Sequence, residues 1–316
     1  MNTPLIEATG LTKEYRLASG KKVHAVSDVS LQIFRGETLG LVGESGCGKS
    51  TLGRALIGLN PPTAGEVRFE GAPITGLGER AFRAYRRRMQ MIFQDPYASL
   101  DPRMTVQEIV AEPLKTYKVC KTREELSARV GALLDAVGIP REYCDRYPHQ
   151  FSGGQRQRVG IARAIALDPD LIVCDEPVSA LDVSVQNQIL NLLKSLQRER
   201  GLTYLFISHD LSVVRFLSDR VCVMFLGSLC ELGDTAGVYE NPLHPYTRFL
   251  LDAIPKPDPR TRGEERLLLS GDLPSPINPP GGCRFHTRCP YATGRCRTEA
   301  PRLREVAGRL VACHRA

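Results

Sequence analysis

The chain has 316 residues, 42 % of them hydrophobic, and 42 lysines and arginines against 35 aspartates and glutamates give it a net charge of +7. That length suits one large domain with an appendage and is short for two. No run approaches the roughly 20 apolar residues of a membrane-spanning helix, and Met1 to Gly10 lacks the plan of a secretory signal, so a soluble intracellular protein is expected.

In chain order, Val29, Leu31 and Ile33 alternate with Ser30 and Gln32, the mark of a strand in a small β region. Thr38 to Val42 reads as a buried strand, followed by a glycine-rich loop and a helix over Ser50 to Leu59 that stops at Pro61-Pro62. This is a βα unit. Met89 to Phe93 predicts another strand, and Thr105 to Val137 has helical patterning with breaks expected at Pro113 and Gly138, a helical insertion. A helix over Gln155 to Leu167, a strand over Leu171 to Cys174, a helix whose apolar face runs from Val185 to Leu196 and a strand over Thr203 to Ile207 continue the alternation. Beyond Ile254 prolines crowd the chain, which predicts a linker with little regular structure.

Gly43-Glu44-Ser45-Gly46-Cys47-Gly48-Lys49-Ser50 fits G-x-x-x-x-G-K-[ST], with a strand entering and a helix leaving, the context a phosphate loop requires. The glycines let backbone N–H groups converge on phosphate oxygens and the helix N-terminus adds partial positive charge. Lys49 then neutralises the outer phosphates, Ser50 offers a Mg²⁺ ligand and Thr51 can reach an inner phosphate. A glycine-rich turn that merely precedes a lysine is the bland alternative, and the flanking elements argue against it.

Leu171 to Glu176 is an apolar strand ending in two carboxylates, which emerge where ligands bind at the carboxyl edge of a parallel sheet. Asp175 is placed to hold Mg²⁺, and Glu176 to polarise the water that attacks the γ-phosphate. Phe151-Ser152-Gly153-Gly154-Gln155 opens a basic helix, a second helix N-terminus suited to an anion.

With FSGGQ at these positions the chain resembles the ABC ATPase family, whose signature is LSGGQ. The resemblance implies an α/β P-loop core with an antiparallel β subdomain, a helical subdomain and, in this chain, a cysteine-rich C-terminal extension. It also implies that ATP is sandwiched between the phosphate loop of one subunit and the signature Ser152, Gly153, Gly154 and Gln155 of its partner. Gln94 resembles the Q-loop glutamine that contacts Mg²⁺ or the attacking water, and Asp182, in Ser179-Ala180-Leu181-Asp182, resembles the D-loop aspartate. His209 resembles the switch histidine at the γ-phosphate, and Tyr15 the aromatic that stacks on adenine.

Tyr147-Pro148-His149, Glu176 to Ser184, Asn241-Pro242-Leu243-His244-Pro245-Tyr246-Thr247 and Leu273 to Pro280 followed by Cys283 look like the peptide-importer branch, and are similar to the F-type ATP-binding subunit of dipeptide and oligopeptide permeases. That resemblance implies a D-type ATPase as partner, two membrane-spanning permease subunits, an external peptide-binding protein, and a peripheral place on the cytoplasmic face of the inner membrane. No nucleic acid is required. The expected division is an ATPase domain over 1–255, with its helical subdomain at about 96–160, and a proline-rich linker with the four-cysteine extension over 256–316.

Cys283, Cys289, Cys296 and Cys313 are spaced C-x5-C-x6-C-x16-C, and a reducing cytoplasm disfavours disulfides. Structural zinc usually shows a tight C-x2-4-C pair, absent here, whereas iron–sulfur ligation tolerates wider spacing. The permease resemblance also points to a [4Fe–4S] cluster, with zinc or unliganded thiols as the alternatives and His286 and His314 as conceivable substitute ligands. Competing functions are a non-transport ABC ATPase, an importer of nickel, haem or glutathione, and a small-molecule kinase. A DNA-repair ATPase would carry a long coiled coil between the phosphate loop and signature, a ribosomal one two cassettes, and a kinase would not use FSGGQ.

Overall fold

The computed structural model describes residues 3–254 and 273–316, and the chain forms two compact units. The first comprises Met1–Phe34, Thr38–Thr75 and Ile207–Ala316, the second Arg35–Glu37 and Gly76–Phe206. The stretch 255–272, where the expected linker begins, lies outside the described residues.

The first unit opens with β1 (Ile6–Arg16), β2 (Lys22–Ile33), β3 (Thr38–Val42), α1 (Lys49–Leu56), β4 (Ala64–Phe69) and β5 (Ala72–Pro73). Strands β2, β1, β4 and β5 pair in that order in an antiparallel sheet. Val29, Leu31 and Ile33 are buried while Ser30 and Gln32 face out, as their alternation predicts. β3 is buried along its whole length, which is why it reads as a continuous apolar run. α1 stops at Leu56, before the expected Leu59, because Gly58 at φ +69° turns the chain out of the helix.

The second unit contains α2 (Glu79–Arg88), β6 (Met89–Ile92), α3 (Pro96–Ser99), α4 (Val106–Thr116), α5 (Arg123–Ala136), α6 (Gly153–Ile165), β7 (Leu171–Asp175), α7 (Val183–Arg200) and most of β8 (Thr203–Ser208). β6 and β7 are parallel, paired from Met89↔Leu171 to Ile92↔Cys174, and β8 lies on the other side of β7. α4 does not break at Pro113. The proline lacks an N–H to give, but its own carbonyl still receives the Tyr117 N–H at 3.0 Å, and the chain leaves the helix near Lys118 at φ +52°. Thr105 and Glu108 close a capping box that fixes where α4 begins.

Back in the first unit come α8 (Leu211–Leu217), β9 (Arg220–Phe225), β10 (Ser228–Asp234), α9 (Thr235–Glu240), α10 (Pro245–Asp252), α11 (Gly294–Thr298), β11 (Arg304–Val306) and β12 (Arg309–Val311). β9 pairs with β3 in parallel, Leu39↔Arg220 to Val42↔Val223, and the sheet of this unit continues antiparallel through β10, β12 and β11. The tail is thus not a loose appendage: β12 adds to β10 through Glu231↔Val311 and Leu232↔Leu310. Beneath this pairing Arg309 donates to the fully buried Glu231 at 3.1 Å, and the backbone N–H groups of Leu243 and His244 satisfy the same carboxylate. A carboxylate taken out of water is costly without hydrogen-bond partners of this kind.

Candidate active site

Gly43, Ser45, Gly46, Cys47 and Gly48 bridge β3 and α1, and Lys49, Ser50 and Thr51 open α1. A side chain at Gly43 would put Cβ 2.1 Å from the Met224 carbonyl, and one at Gly48, φ +105°, would put it 2.0 Å from the Ala25 carbonyl. Backbone from β9 and β2 therefore presses on the loop from beneath, and only glycine leaves room. Lys49 is 4 % exposed and its Nζ donates to the carbonyls of Gly43 at 2.8 Å and Glu44 at 3.0 Å. The ammonium is thus held over the loop, where an incoming phosphate would compete for it with two neutral carbonyls. Cys47 is turned inward, burial pushes its thiol pKa up, and its carbonyl accepts the Gly227 N–H at 2.8 Å. It contributes backbone and packing.

In the second unit Asp175 ends β7 fully buried, and Glu176 follows at φ +45°. That left-handed residue follows the end of β7, and the Ser179 N–H and hydroxyl both donate to the Glu176 carbonyl, at 3.3 and 3.2 Å. Gln94, two residues past β6, donates from Nε2 to Glu176 Oε2 at 2.8 Å. Parallel pairing of β6 with β7 delivers both side chains to one sheet edge.

Ser152 caps α6: its hydroxyl accepts the Gln155 N–H at 3.3 Å while Gln155 Oε1 accepts the Ser152 N–H at 3.0 Å. The capping box leaves the N–H groups of Gly153 and Gly154 at a helix start. Gly154 is buried, and a Cβ there would lie 2.3 Å from Val185 Cγ1 in the first turn of α7. Asp182 caps α7 through Val185 N–H at 2.9 Å and also accepts from Ser184, contacts that lower its pKa. The signature and the Asp182 turn are thus packed together within one unit. Val185 supplies the reason for Gly154, and the Arg156 guanidinium lies 3.9 Å over the Tyr97 ring and donates to the Pro148 carbonyl at 2.6 Å, contacts that no motif signals.

Tyr15 lies near the end of β1, 37 % exposed, with Lys13 Nζ 5.2 Å from its ring centroid and Asn60 donating to its hydroxyl at 3.3 Å. A partly exposed aromatic ring can stack on a planar base. His209 is exposed after β8, and the next residue, Asp210, caps α8 through the Ser212 N–H at 2.8 Å.

The tail cysteines do not form the expected metal centre. Among the described residues no group of three or more His, Cys, Asp or Glu side chains could hold a metal ion, and Cys283, Cys289, Cys296 and Cys313 are free thiols. This overturns the iron–sulfur reading and its zinc alternative. All four line one small cavity together with His286 and His314. Cys296 Sγ meets Thr293 Oγ1 at 3.4 Å, Cys313 Sγ accepts the Arg315 N–H at 3.4 Å, and His286 and His314 bond to backbone carbonyls. Burial also raises the Cys283 thiol to about 11 and pushes Cys289 up. Spacing counts sulfur atoms but carries no information on these competing bonds.

Comparison with known proteins places this geometry. Residues 26–179 match the family described as ABC transporter, and residues 230–296 the oligopeptide/dipeptide transporter C-terminal region. The oligopeptide transport ATP-binding protein OppF of Escherichia coli K12 is 52 % identical over 318 residues, covering 98 % of this chain and 95 % of that protein, and its Salmonella typhimurium counterpart is 51 % identical with the same coverage. Among solved structures, the ATP-binding cassette MJ0796 in a dimeric post-hydrolysis state with ADP and Pi superposes with a TM-score of 0.67 at 32 % identity, covering 73 % of this chain and 98 % of that one. With identity above one half across nearly the whole of both chains, the protein belongs to the ABC transporter family of ATP-hydrolysing subunits.

Proposed function

We propose that the chain is the ATP-hydrolysing subunit of an importer of di- or oligopeptides, bound peripherally to the cytoplasmic face of the inner membrane. Among the described residues no helix is long and apolar enough to cross a membrane, so translocation belongs to partner subunits: two membrane-spanning permeases fed by an external peptide-binding protein. A D-type ATPase is the proposed second motor subunit. Each ATP is then gripped by the phosphate loop of one subunit and by Ser152, Gly153, Gly154, Gln155 and Asp182 of the other. Residues 1–255 are assigned to the ATPase domain, with a helical subdomain at about 96–160 facing the permease, and 256–316 to the extension.

The observation that carries the catalytic part is the 2.8 Å hydrogen bond from Gln94 to Glu176 beside the buried Asp175. Glu176 polarises the attacking water, and His209 contacts the γ-phosphate. Tyr15 stacks on adenine, and the loop from Gly43 to Thr51 holds the phosphates. Ser50, Gln94 and Asp175 supply oxygen donors, the hard set that suits Mg²⁺, and would hold that ion to neutralise charge on the phosphates. The substrate class rests on the match of residues 230–296 to the oligopeptide/dipeptide transporter region.

The test is reconstitution of the full chain with its permeases, second ATPase and peptide-binding protein in vesicles. Short peptides delivered by the binding protein should stimulate hydrolysis and accumulate inside. Stimulation by nickel, haem or glutathione with none by peptides would replace the substrate assignment.

A further inference from the structure

The C-terminal extension reaches the phosphate loop at one side chain. Arg288 Nη1 donates to both carboxylate oxygens of Glu44, at 2.9 and 3.1 Å, with the Arg288 side chain 9 % and Glu44 26 % exposed. Glu44 is gripped at two further points: its N–H donates to Tyr246 Oη at 3.0 Å, and its carbonyl accepts Lys49 Nζ at 3.0 Å. Every polar group of this loop residue is thus engaged, two of them by residues that follow β10 in the chain.

Arg288 is fixed by its surroundings. Three residues earlier, Phe285 is 2 % exposed and packs edge-on against Phe225 at 5.3 Å and tilted against Tyr246 at 5.3 Å. Arg284 donates to the Leu226 carbonyl and to Ser27 Oγ, and the Arg288 N–H bonds back to the Phe285 carbonyl at 3.0 Å. Phe225 and Leu226 directly follow Met224, whose carbonyl presses on Gly43. The extension therefore clamps the floor of the loop as well as Glu44 itself.

A carboxylate inside a loop that binds a triphosphate repels its own ligand, more strongly where water is partly excluded. Arg288 offsets that charge and draws the carboxylate to the side of the extension. We propose that Arg288 is a positioning residue for nucleotide binding: its pairing with Glu44 neutralises and orients the phosphate loop, so that the C-terminal extension sets the affinity for ATP. The proposal rests on Gly43 to Thr51 being the ATP loop.

The experiment measures the dissociation constant of MgATP on the full chain by calorimetry, with thermal unfolding as the check on folding. Arg288→Ala should weaken binding about tenfold, and Glu44→Gln added to it should recover most of that loss, since contacting charged partners couple strongly. A lost fold contact alone would not be rescued by removing the opposite charge. Where Arg288→Ala does not fold, the nearly isosteric Arg288→Gln, with and without Glu44→Gln, is read the same way. Equal affinities in wild type and the Arg288 variants, or a loss that Glu44→Gln leaves untouched, would overturn the proposal. Lys49→Ala separates the two readings. If it binds MgATP as tightly as wild type, the loop assignment itself fails; if it loses binding while the Arg288 variants do not, only the coupling fails.

Discussion

Gln94 Nε2 and Glu176 Oε2 stand 2.8 Å apart at the carboxyl ends of two parallel, directly paired strands. The amide donates to the carboxylate and holds the two side chains together. The left-handed conformation of Glu176, φ +45°, sets the direction of the carboxylate and is strained for a non-glycine residue. Strain held in place by flanking hydrogen bonds fits a residue whose orientation matters to the chemistry.

Glu176→Gln keeps size and hydrogen bonding but removes the proposed base. Hydrolysis in single-turnover assays of the assembled transporter should fall by about 10²–10³-fold, the scale of losing one positioned catalytic group. MgATP affinity should stay within about threefold, because the phosphate grip lies elsewhere. Turnover close to wild type would remove Glu176 from its role.

Lys49→Ala and Ser152→Ala should separate the two faces of the nucleotide. Losing the ammonium that now bridges the Gly43 and Glu44 carbonyls should weaken ATP capture by the isolated chain. Losing the Ser152 cap, about 1 kcal/mol to the start of α6, should slow hydrolysis in the assembled complex and leave that capture intact. Equal losses of binding in both variants would contradict a site shared between subunits.

The strand–loop–helix of the phosphate site and the acidic end of β7 were legible because each combines an apolar run with residue types that few other contexts tolerate together. Gly154 could be singled out from its motif, but its reason could not: Val185 lies 31 positions further along the chain and meets it only in the folded unit. The same holds for Glu44, whose partners Tyr246 and Arg288 are 202 and 244 residues away. β9 and β10 went unread because both are buried almost throughout, so no alternation marks them. The cysteine tail misled because four sulfur atoms in sequence proximity say nothing of the hydroxyl and amide partners that Cys296 and Cys313 find in the fold.

Gly154→Ala should be destabilising for a steric reason. The added Cβ would lie 2.3 Å from Val185 Cγ1, and a β-branched side chain in the first turn of a helix has little rotamer freedom with which to move aside. Overpacking of this kind costs about 1–3 kcal/mol, and ATP-driven turnover should fall with it. Val185→Ala in the same chain should restore much of the stability, measured by urea unfolding. If the double variant is no more stable than Gly154→Ala alone, the contact is not the reason for the glycine.

His244 gives the fold a pH dependence of its own. It is 2 % exposed, its Nδ1 accepts the Tyr246 N–H at 3.0 Å as the cap of α10, and Phe285 packs 5.9 Å away. Burial lowers its pKa to about 4, outweighing an opposing hydrogen bond with the Ala312 backbone. The unfolded chain therefore takes up a proton near pH 6.5 that the folded chain refuses until about pH 4. Above pH 6.5 both forms are neutral and His244 adds no pH dependence. As pH falls through that window the unfolded state is favoured progressively, by about 3 kcal/mol at the acidic end. Thermal unfolding midpoints should accordingly drop between pH 6.5 and 4 in the wild type. His244→Asn keeps a side-chain acceptor for the cap but cannot titrate, so its midpoint should fall less steeply over the same interval. Parallel curves for the two proteins would show that the buried imidazole does not control acid stability.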